Sequence, residues 1–171
     1  MNNKGFTLIE MIVAVAIFTL LVAASSGIFL SSIKAQKQSL ATQEVLDQTS
    51  YLMEYMSRAL RMAKKDMLGT CTGTAKLNYA FKNQCIKFKN YQGACQQFCL
   101  VSSRLKDENG NYLTSDNLTV SSFKVELSGQ YQPPIDSQQP RITIFLKIQG
   151  KEGSKIEIQT TISQRNPDVR K

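Results

Sequence analysis

Hydrophobic residues are distributed very unevenly along this chain of 171 residues. Residues 11–33 form a run of 23 positions without a charged side chain, and residues 6–9 are also mostly apolar. About 20 apolar residues in a helix cross a bilayer, because each residue adds about 1.5 Å. The pattern therefore predicts a membrane-spanning helix over residues 6–33, preceded by a short leader of residues 1–5.

The next stretch, residues 34–68, is polar but keeps a helical pattern. It contains no proline or glycine, and its apolar residues recur at helical spacing. These residues are Val45, Leu52, Met56, Ala59, Ala63 and Met67. We predict one helix over residues 6–67, stopped by Gly69, whose second half packs this stripe against a domain. A coiled-coil dimer is the alternative interpretation of the stripe.

From residue 70 onward the pattern changes to the alternation that is typical of half-buried strands. Strands are predicted at residues 86–89, 98–105, 112–114, 123–127, 142–149 and 155–162. Residues 107–111 suit a turn, residues 131–140 a break, and residues 150–154 a hairpin loop. The fold class is therefore α+β, with a long N-terminal helix packed on an antiparallel β-sheet over residues 69–164. A solvated tail, residues 165–171, follows.

Composition narrows the range of functions. The chain has no histidine, which removes the commonest general base and a common metal ligand. A Ser-His-Asp triad, a Cys-His dyad and a His-ligated zinc site are excluded, so we expect neither an enzyme nor a metal cofactor. The 21 Lys and Arg against 13 Asp and Glu give a net charge of +8, which permits attraction to anionic partners without demonstrating it.

Glu10 is a charged residue inside the N-terminal apolar region. A carboxylate on a membrane helix costs roughly 2.5 to 3.5 kcal/mol near the bilayer centre. A secretory signal peptide, cut near Ala23, Ala24 and Ser25, is the simpler interpretation of this region. A signal peptide, however, needs no carboxylate that carries this energetic cost. We therefore expect a functional carboxylate whose partner is an amino terminus freed close by.

The segment Lys4-Gly5-Phe6-Thr7-Leu8-Ile9-Glu10 and the apolar run after it resemble the processing motif of the type IV pilin and pseudopilin superfamily. The resemblance implies that a prepilin peptidase cuts after Gly5 and methylates the new N-terminus, Phe6. It also implies that Glu10 aligns an incoming subunit by pairing with a terminal amine. At about 4 Å and an effective dielectric near 20, that attraction is of order 4 kcal/mol, similar to the cost of placing Glu10 in lipid.

The same resemblance implies a non-enzymatic filament subunit of a type IV pilus or a type II secretion pseudopilus. Its precursor would cross the bacterial inner membrane once, with its N-terminus in the cytoplasm. Its partners would be other pilins, the prepilin peptidase, membrane lipid and an inner-membrane assembly platform. Residues 58–67, in which Arg58-Ala59-Leu60 precedes Asp66, also resemble over a short stretch the end of the helix in the minor pseudopilin J, which favours a minor subunit.

Four cysteines, Cys71, Cys85, Cys95 and Cys99, lie in the part of the chain predicted to be outside the cytoplasm. This location favours disulfides over a zinc site, because no pair has C-x-x-C spacing. If residues 85–88 fold back on residues 97–99, Cys85 lies opposite Cys99 and Cys71 remains for Cys95. The other two connectivities stay open.

Two further features permit binding chemistry. Residues with side-chain oxygens surround Gly110, and some pseudopilins of the superfamily bind calcium in such loops. The spacing of these residues lacks the ligand positions of an EF-hand, so we expect an exposed turn instead. These residues are Asp107, Glu108, Asn109 and Asn111. A set of lysines and aromatic residues permits a surface for single-stranded DNA, although solvated strand faces explain it more simply. The set is Lys87, Lys89, Lys106 and Lys124 with Phe88, Tyr91 and Tyr112.

Two alternative functions therefore stand beside the filament subunit. One is a DNA-binding or adhesive minor pilin, used in DNA uptake or surface attachment. The other is an unrelated single-pass membrane-anchored protein, whose N-terminus would not be processed at Gly5.

Overall fold

The computed structural model describes residues 5–131 and 138–165, and the chain divides into two compact units, Met1–Leu40 and Ala41–Lys171. The described residues form one α-helix, α1 (Leu8–Arg61), and seven strands. The strands are β1 (Tyr79–Lys82), β2 (Cys85–Lys89), β3 (Cys95–Val101), β4 (Arg104–Lys106), β5 (Thr119–Ser128), β6 (Arg141–Gln149) and β7 (Lys155–Ser163). The α+β fold class is confirmed. Three predicted segments lie partly outside the described residues: most of the leader, the middle of the break and the end of the tail.

The first unit contains the N-terminal part of α1, which is long and apolar enough to cross a membrane. Its large apolar side chains are exposed, as a lipid-facing helix requires. The hydroxyls of Ser25 and Ser26 donate to the carbonyls of Leu21 and Val22 one turn earlier, both at 2.8 Å. These polar groups are therefore satisfied within the helix, which matters where no water is present.

In the second unit, the remainder of α1 packs on the strands through residues three or four positions apart. The buried residues of α1 are Ala41, Val45, Thr49, Leu52, Met53, Met56 and Leu60. The predicted stripe is confirmed at Val45, Leu52 and Met56, and Ala63 just beyond the helix is also buried. It is wrong at Met67, whose side chain is 54% exposed.

The helix begins at Leu8 and ends at Arg61, not at residues 6 and 67 as predicted. Beyond Ala63 the backbone pairs with distant residues instead of with its own preceding turn. Lys64 N–H donates to the carbonyl of Lys89 at 2.8 Å, and Asp66 N–H donates to that of Leu77 at 2.9 Å. These bonds to distant residues replace the i to i−4 bonds that would continue the helix.

The last carbonyls of α1 and of the turn after it are capped by residues far away in the sequence. The Tyr79 hydroxyl donates to the Leu60 carbonyl, the Gln164 side-chain amide to Ala63, and Arg165 N–H to Arg61, at 2.7 to 2.8 Å. A helix end leaves such carbonyls without an intrahelical partner, so these bonds satisfy groups that burial would otherwise penalise. Arg165, predicted to begin the solvated tail, is thus held by its backbone.

The antiparallel strands form two sheets, where one was predicted: β1-β2-β3-β4 and β5-β6-β7. Strand β1 was missed, and the predicted strand at residues 98–105 is two strands joined by a turn at Ser102 and Ser103, both with positive φ. Residues 112–114 are not a strand, because only Tyr112 forms an isolated bridge there, to Lys106. A two-residue turn with positive φ suits the twist of a hairpin, which explains the split.

The hairpin predicted at residues 150–154 is confirmed and joins β6 to β7. Gly150 lies so close to α1 that a Cβ there would be 2.3 Å from Cγ2 of Val45. Glycine is therefore required where this hairpin packs on the helix. The sheets bury their alternating residues, with Ile142, Ile144 and Ile148 fully enclosed.

Candidate processing and assembly site

Thr7 and Glu10 close the N-terminal end of α1. The Glu10 carboxylate accepts hydrogen bonds from the Thr7 N–H and hydroxyl, both at 2.9 Å, and Glu10 N–H donates to the Thr7 hydroxyl at 3.4 Å. The Thr7 carbonyl accepts the first helical bond, from Met11 N–H at 3.3 Å. This reciprocal arrangement is a capping box, with Thr7 as the N-cap and Glu10 three positions later.

The predicted cleavage point lies immediately before this cap. Phe6 is 83% exposed, and no atom comes within 4 Å of the position that a Cβ on Gly5 would occupy. Lys4, the predicted leader residue, lies outside the described residues. The peptide bond between Gly5 and Phe6 is therefore in non-helical, exposed backbone, while the carboxylate of Glu10 is held by Thr7 in the first turn of the helix.

Thr7 is the residue of this site that the sequence analysis missed. A Thr followed three positions later by Glu and leading into an apolar run is the sequence signal of a capping box. Glu10 was assigned a role in charge pairing only. The structure shows a capping contact beside this expectation, since the carboxylate accepts from the Thr7 backbone N–H and hydroxyl at the start of the helix.

The four cysteines form the two disulfides Cys71–Cys95 and Cys85–Cys99, the pairing that the sequence favoured. Cys85 and Cys99 are directly opposite each other in the register of β2 and β3, which matches the predicted fold-back. Cys71–Cys95 joins the loop after α1 to the first residue of β3. The two bonds thus lie in the four-stranded sheet and its neighbouring loop.

Asp66 organises the loop that carries Cys71. Its side chain is buried and accepts hydrogen bonds from the backbone of Gly69, Cys71 and Thr72 and from the hydroxyls of Thr70 and Thr72. Burial alone would raise the pKa of Asp66, but the donors of Thr72, Cys71 and Thr70 lower it to about 2. Gly69 does not stop the helix; it has a φ of 76° inside this loop, and a Cβ there would be 2.7 Å from the backbone of Ala75.

Because the pKa of Asp66 is lower in the folded chain than its ordinary value of 3.8, its carboxylate stabilises the fold above that pH. We expect this contribution, about 2 kcal/mol, to be lost progressively as the pH falls from about 4 through about 2. Replacing Asp66→Asn should lower the free energy of unfolding by about 1 to 3 kcal/mol at neutral pH and remove this acid-dependent step. Urea unfolding of the full chain in a neutral detergent, followed by circular dichroism, measures both effects.

The matched control is Asp47→Asn, which removes the same charge from an exposed position on α1. It should leave both the stability and its acid dependence within about 0.5 kcal/mol of the parent. An Asp66→Asn chain as stable as this control would show that the loop does not depend on the carboxylate.

The other residues considered for binding do not converge on one site. Asp107 uses its carboxylate to hold its own turn, accepting bonds from Asn109 N–H and from the backbone and side chain of Asn111. Within residues 5–131 and 138–165, no group of three acidic or cysteine residues is placed to hold a metal ion. Phe88 is buried in the core and Lys124 lies on the other sheet, which agrees with the simpler interpretation of solvated strand faces and excludes one surface shared by all seven residues.

The exposed glycine junction, the capped helix start with its carboxylate and the long apolar helix are features that the resemblance to pilin precursors implies. Residues 1–26 match the family model described as the prokaryotic N-terminal methylation motif. The match supports the type IV pilin and pseudopilin superfamily, processing by prepilin peptidase and association with other pilins, and it suggests a structural subunit. It argues against an unrelated membrane-anchored protein. The chain matches no curated protein and no solved structure at a significant level.

Proposed function

We propose that this chain is a minor pilin or pseudopilin, assembled into a type IV pilus or a type II secretion pseudopilus. The observation that carries the proposal is the methylation-motif match over residues 1–26, together with the exposed Gly5–Phe6 junction ahead of a capped apolar helix. Residues 1–5 are the leader, and Phe6 is the residue methylated after cleavage. Residues 6–33 then anchor the subunit in the inner membrane before assembly.

The orientation follows from charge. The leader contains Lys4, whereas residues 11–33 contain no charge, so the short positive end stays in the cytoplasm. The strands and both disulfides then lie outside the cytoplasm, where disulfides persist. The short similarity of residues 58–67 to the minor pseudopilin J and the absence of a proline from residues 11–33 favour a minor subunit over the main filament subunit.

Glu10 makes membrane burial depend on assembly. The capping box contributes about 1 kcal/mol, which is less than the roughly 2.5 to 3.5 kcal/mol that a carboxylate costs near the bilayer centre. Cleavage after Gly5 creates an ammonium group on Phe6. Pairing Glu10 with such an ammonium on a neighbouring subunit offers an attraction of order 4 kcal/mol, enough to offset the cost. The cap holds the carboxylate in one place, and the neighbour's charge stabilises it.

Two substitutions separate these roles. Glu10→Gln keeps a capping box, because glutamine also serves at this position, but removes the charge. Thr7→Ala keeps the charge and removes the hydroxyl of the cap. If charge pairing recruits the subunit, Glu10→Gln should reduce crosslinking to partner pilins about tenfold or more, while Thr7→Ala should reduce it less than about threefold. The measurement is crosslinking yield in membranes, normalised to the processed subunit.

Both variants should still be processed, because the cut lies before the cap. An unchanged crosslinking yield for Glu10→Gln would reject the pairing. A greater loss for Thr7→Ala than for Glu10→Gln would assign the role of Glu10 to the helix cap.

A further inference from the structure

The two disulfides of this chain are interleaved along the sequence. The four cysteines occur in the order Cys71, Cys85, Cys95 and Cys99. One disulfide joins the first to the third, and the other joins the second to the fourth. Neither bond therefore links two consecutive cysteines. All four cysteines of the chain are used, so the finished protein has no thiol of its own.

An unfolded chain favours a different connectivity, the consecutive pairing of Cys71 with Cys85 and of Cys95 with Cys99. Short loops close more readily than long ones. Cys99 is only four positions from Cys95, whereas the native partner of Cys95 is 24 positions away. Cys71 and Cys85 are also the first two cysteines to be made, because synthesis begins at the N-terminus. Loop length and order of synthesis thus both favour the consecutive pairing.

The fold that selects the native partners is completed late. Cys85 and Cys99 face each other only in the register of β2 and β3. The core on which these strands pack contains residues as late in the chain as Ile162. All four cysteines precede β5, β6 and β7 in the sequence. When the chain is exported during its synthesis, oxidation therefore begins before the core can form.

The consecutive pairing cannot persist in the folded protein. Cys95 and Cys99 belong to the same strand, β3, and four residues of extended strand span roughly 13 Å. A disulfide needs Cα atoms about 4.4 to 6.8 Å apart. A Cys95–Cys99 bond therefore prevents β3 from forming and must be broken before the four-stranded sheet assembles. The fully oxidised chain has no thiolate to break it, so the thiolate must come from another molecule.

We propose that a protein dithiol of the C-x-x-C class, acting outside the cytoplasm, rearranges the disulfides of this chain into their native pairing. Thiolates are the attacking species in disulfide exchange, and C-x-x-C motifs favour the thiolate form of one cysteine. The partner acts as an isomerase and is not consumed. The proposal rests on the orientation given under the proposed function, because mispairing requires a compartment in which disulfides form.

The exchange balances without an oxidant or a reductant. The partner's thiolate attacks Sγ of Cys99, forms a mixed disulfide there and releases the thiolate of Cys95. The Cys95 thiolate attacks Sγ of Cys71, which forms the native Cys71–Cys95 bond and releases the thiolate of Cys85. The Cys85 thiolate then attacks Sγ of Cys99, forms the native Cys85–Cys99 bond and returns the partner's thiolate. Two S–S bonds break and two form, with no net transfer of electrons or protons.

The native pairing is the end point of this exchange because the fold protects it. Cys99 is only 7% exposed, and the pairing of β2 with β3 holds it directly opposite Cys85. An external thiolate has little access to this bond. A bond opened there closes again on a partner that is held in place. Rearrangement therefore stops once β2 and β3 have paired.

The test is refolding of the reduced full chain from urea into a neutral detergent that contains diamide, an oxidant that supplies no thiol. Diamide is then removed, and reduced protein disulfide isomerase is added to half of the sample at about one tenth of the molar amount of the chain. Mass spectrometry reads the linkages after cleavage at Lys76, Lys89 and Phe98, which places each cysteine on its own peptide.

After diamide alone, we expect fewer than about a third of the chains to have the native pairing, which is the share expected from random choice among three connectivities. The isomerase should raise this share to more than about nine tenths, while the half without it should stay unchanged over the same period. Native pairing of most chains after diamide alone would overturn the proposal. Mispaired chains that the isomerase leaves mispaired would also overturn it.

Cys85→Ser/Cys99→Ser is the matched control, because its two remaining cysteines allow one connectivity only. Diamide alone should close Cys71–Cys95 in nearly all chains of this variant, and the isomerase should add nothing. Failure of the control to close this bond would overturn the proposal, since mispairing would then not be the obstacle. The assay uses neither membranes nor partner pilins, so its failure is distinct from a failure of the proposed function, which the Glu10 and Thr7 variants test.

Discussion

A chain with Gly5→Val should remain entirely in its precursor form in cells that contain the prepilin peptidase. Glycine has no Cβ, and the resemblance to prepilins implies a peptidase that accepts only this small residue before the cut. The fold itself does not need glycine there. Gly5 lacks a positive φ, and a Cβ would meet no atom within 4 Å. Loss of processing in this variant would therefore report recognition by the peptidase.

Gly27→Val is the matched control, because Gly27 also has open space around its Cβ position and no positive φ. This variant should be cut to the same extent as the parent. Mass spectrometry of the purified N-terminus distinguishes the precursor from a chain that begins with methylated Phe6. A mature Phe6 terminus in Gly5→Val would exclude the prepilin interpretation of the motif.

Removal of either disulfide should lower the free energy of unfolding by about 3 kcal/mol. The two bonds span 24 and 14 residues, and in the chain-entropy model loops of these lengths stabilise by similar amounts. That loss is a large fraction of the total free energy of unfolding of an ordinary domain, which is roughly 5 to 15 kcal/mol. Urea unfolding of Cys71→Ser/Cys95→Ser and of Cys85→Ser/Cys99→Ser, each compared with the parent in neutral detergent, measures it.

The two double variants should differ in their local effects. Cys71–Cys95 attaches the Asp66 loop to β3, whereas Cys85–Cys99 joins strands that are already paired by backbone hydrogen bonds. Hydrogen exchange in residues 66–76 should therefore accelerate more without Cys71–Cys95. Four reactive thiols in the folded, unreduced protein from its native compartment would contradict the disulfide prediction.

The long helix and the long strands were predictable because their buried residues in the fold have the same spacing as the apolar residues in the sequence. Val45, Leu52 and Met56 are buried at the spacing that defines a helix face, and β6 buries alternate residues as its sequence indicates. The helix end was not predictable in the same way. Residues 62–67 are good helix formers, but backbone bonds to Leu77 and Lys89 outcompete a continued helix.

Short elements were not predicted, for a different reason. Strand β1 has four residues, too few for an alternation to emerge, and its turn to β2 uses Asn83 and Gln84 at positive φ. Turns of this kind are usually marked by glycine, which is absent here. Part of the candidate site was available in the sequence, since Thr7 and Glu10 have capping-box spacing. The sequence named Lys87, Lys89 and Lys106, but their alignment with Lys64 and Lys82 was not predictable, because these cations come from separate elements and meet only once the strand register is known.

The capping of the end of α1 by Gln164 and Arg165 sets the timing of folding during synthesis. The donor to the Ala63 carbonyl is 101 residues further along the chain. At about 5 to 20 residues per second, the ribosome reaches that donor on the order of 5 to 20 s after Ala63. The carbonyls of Arg61 and Ala63 must rely on water for that interval. The hydrogen bonds that cap this helix end can therefore form only in a chain that has been made at least to residue 165. In a shorter nascent chain the helix end is frayed and accessible to proteases and chaperones.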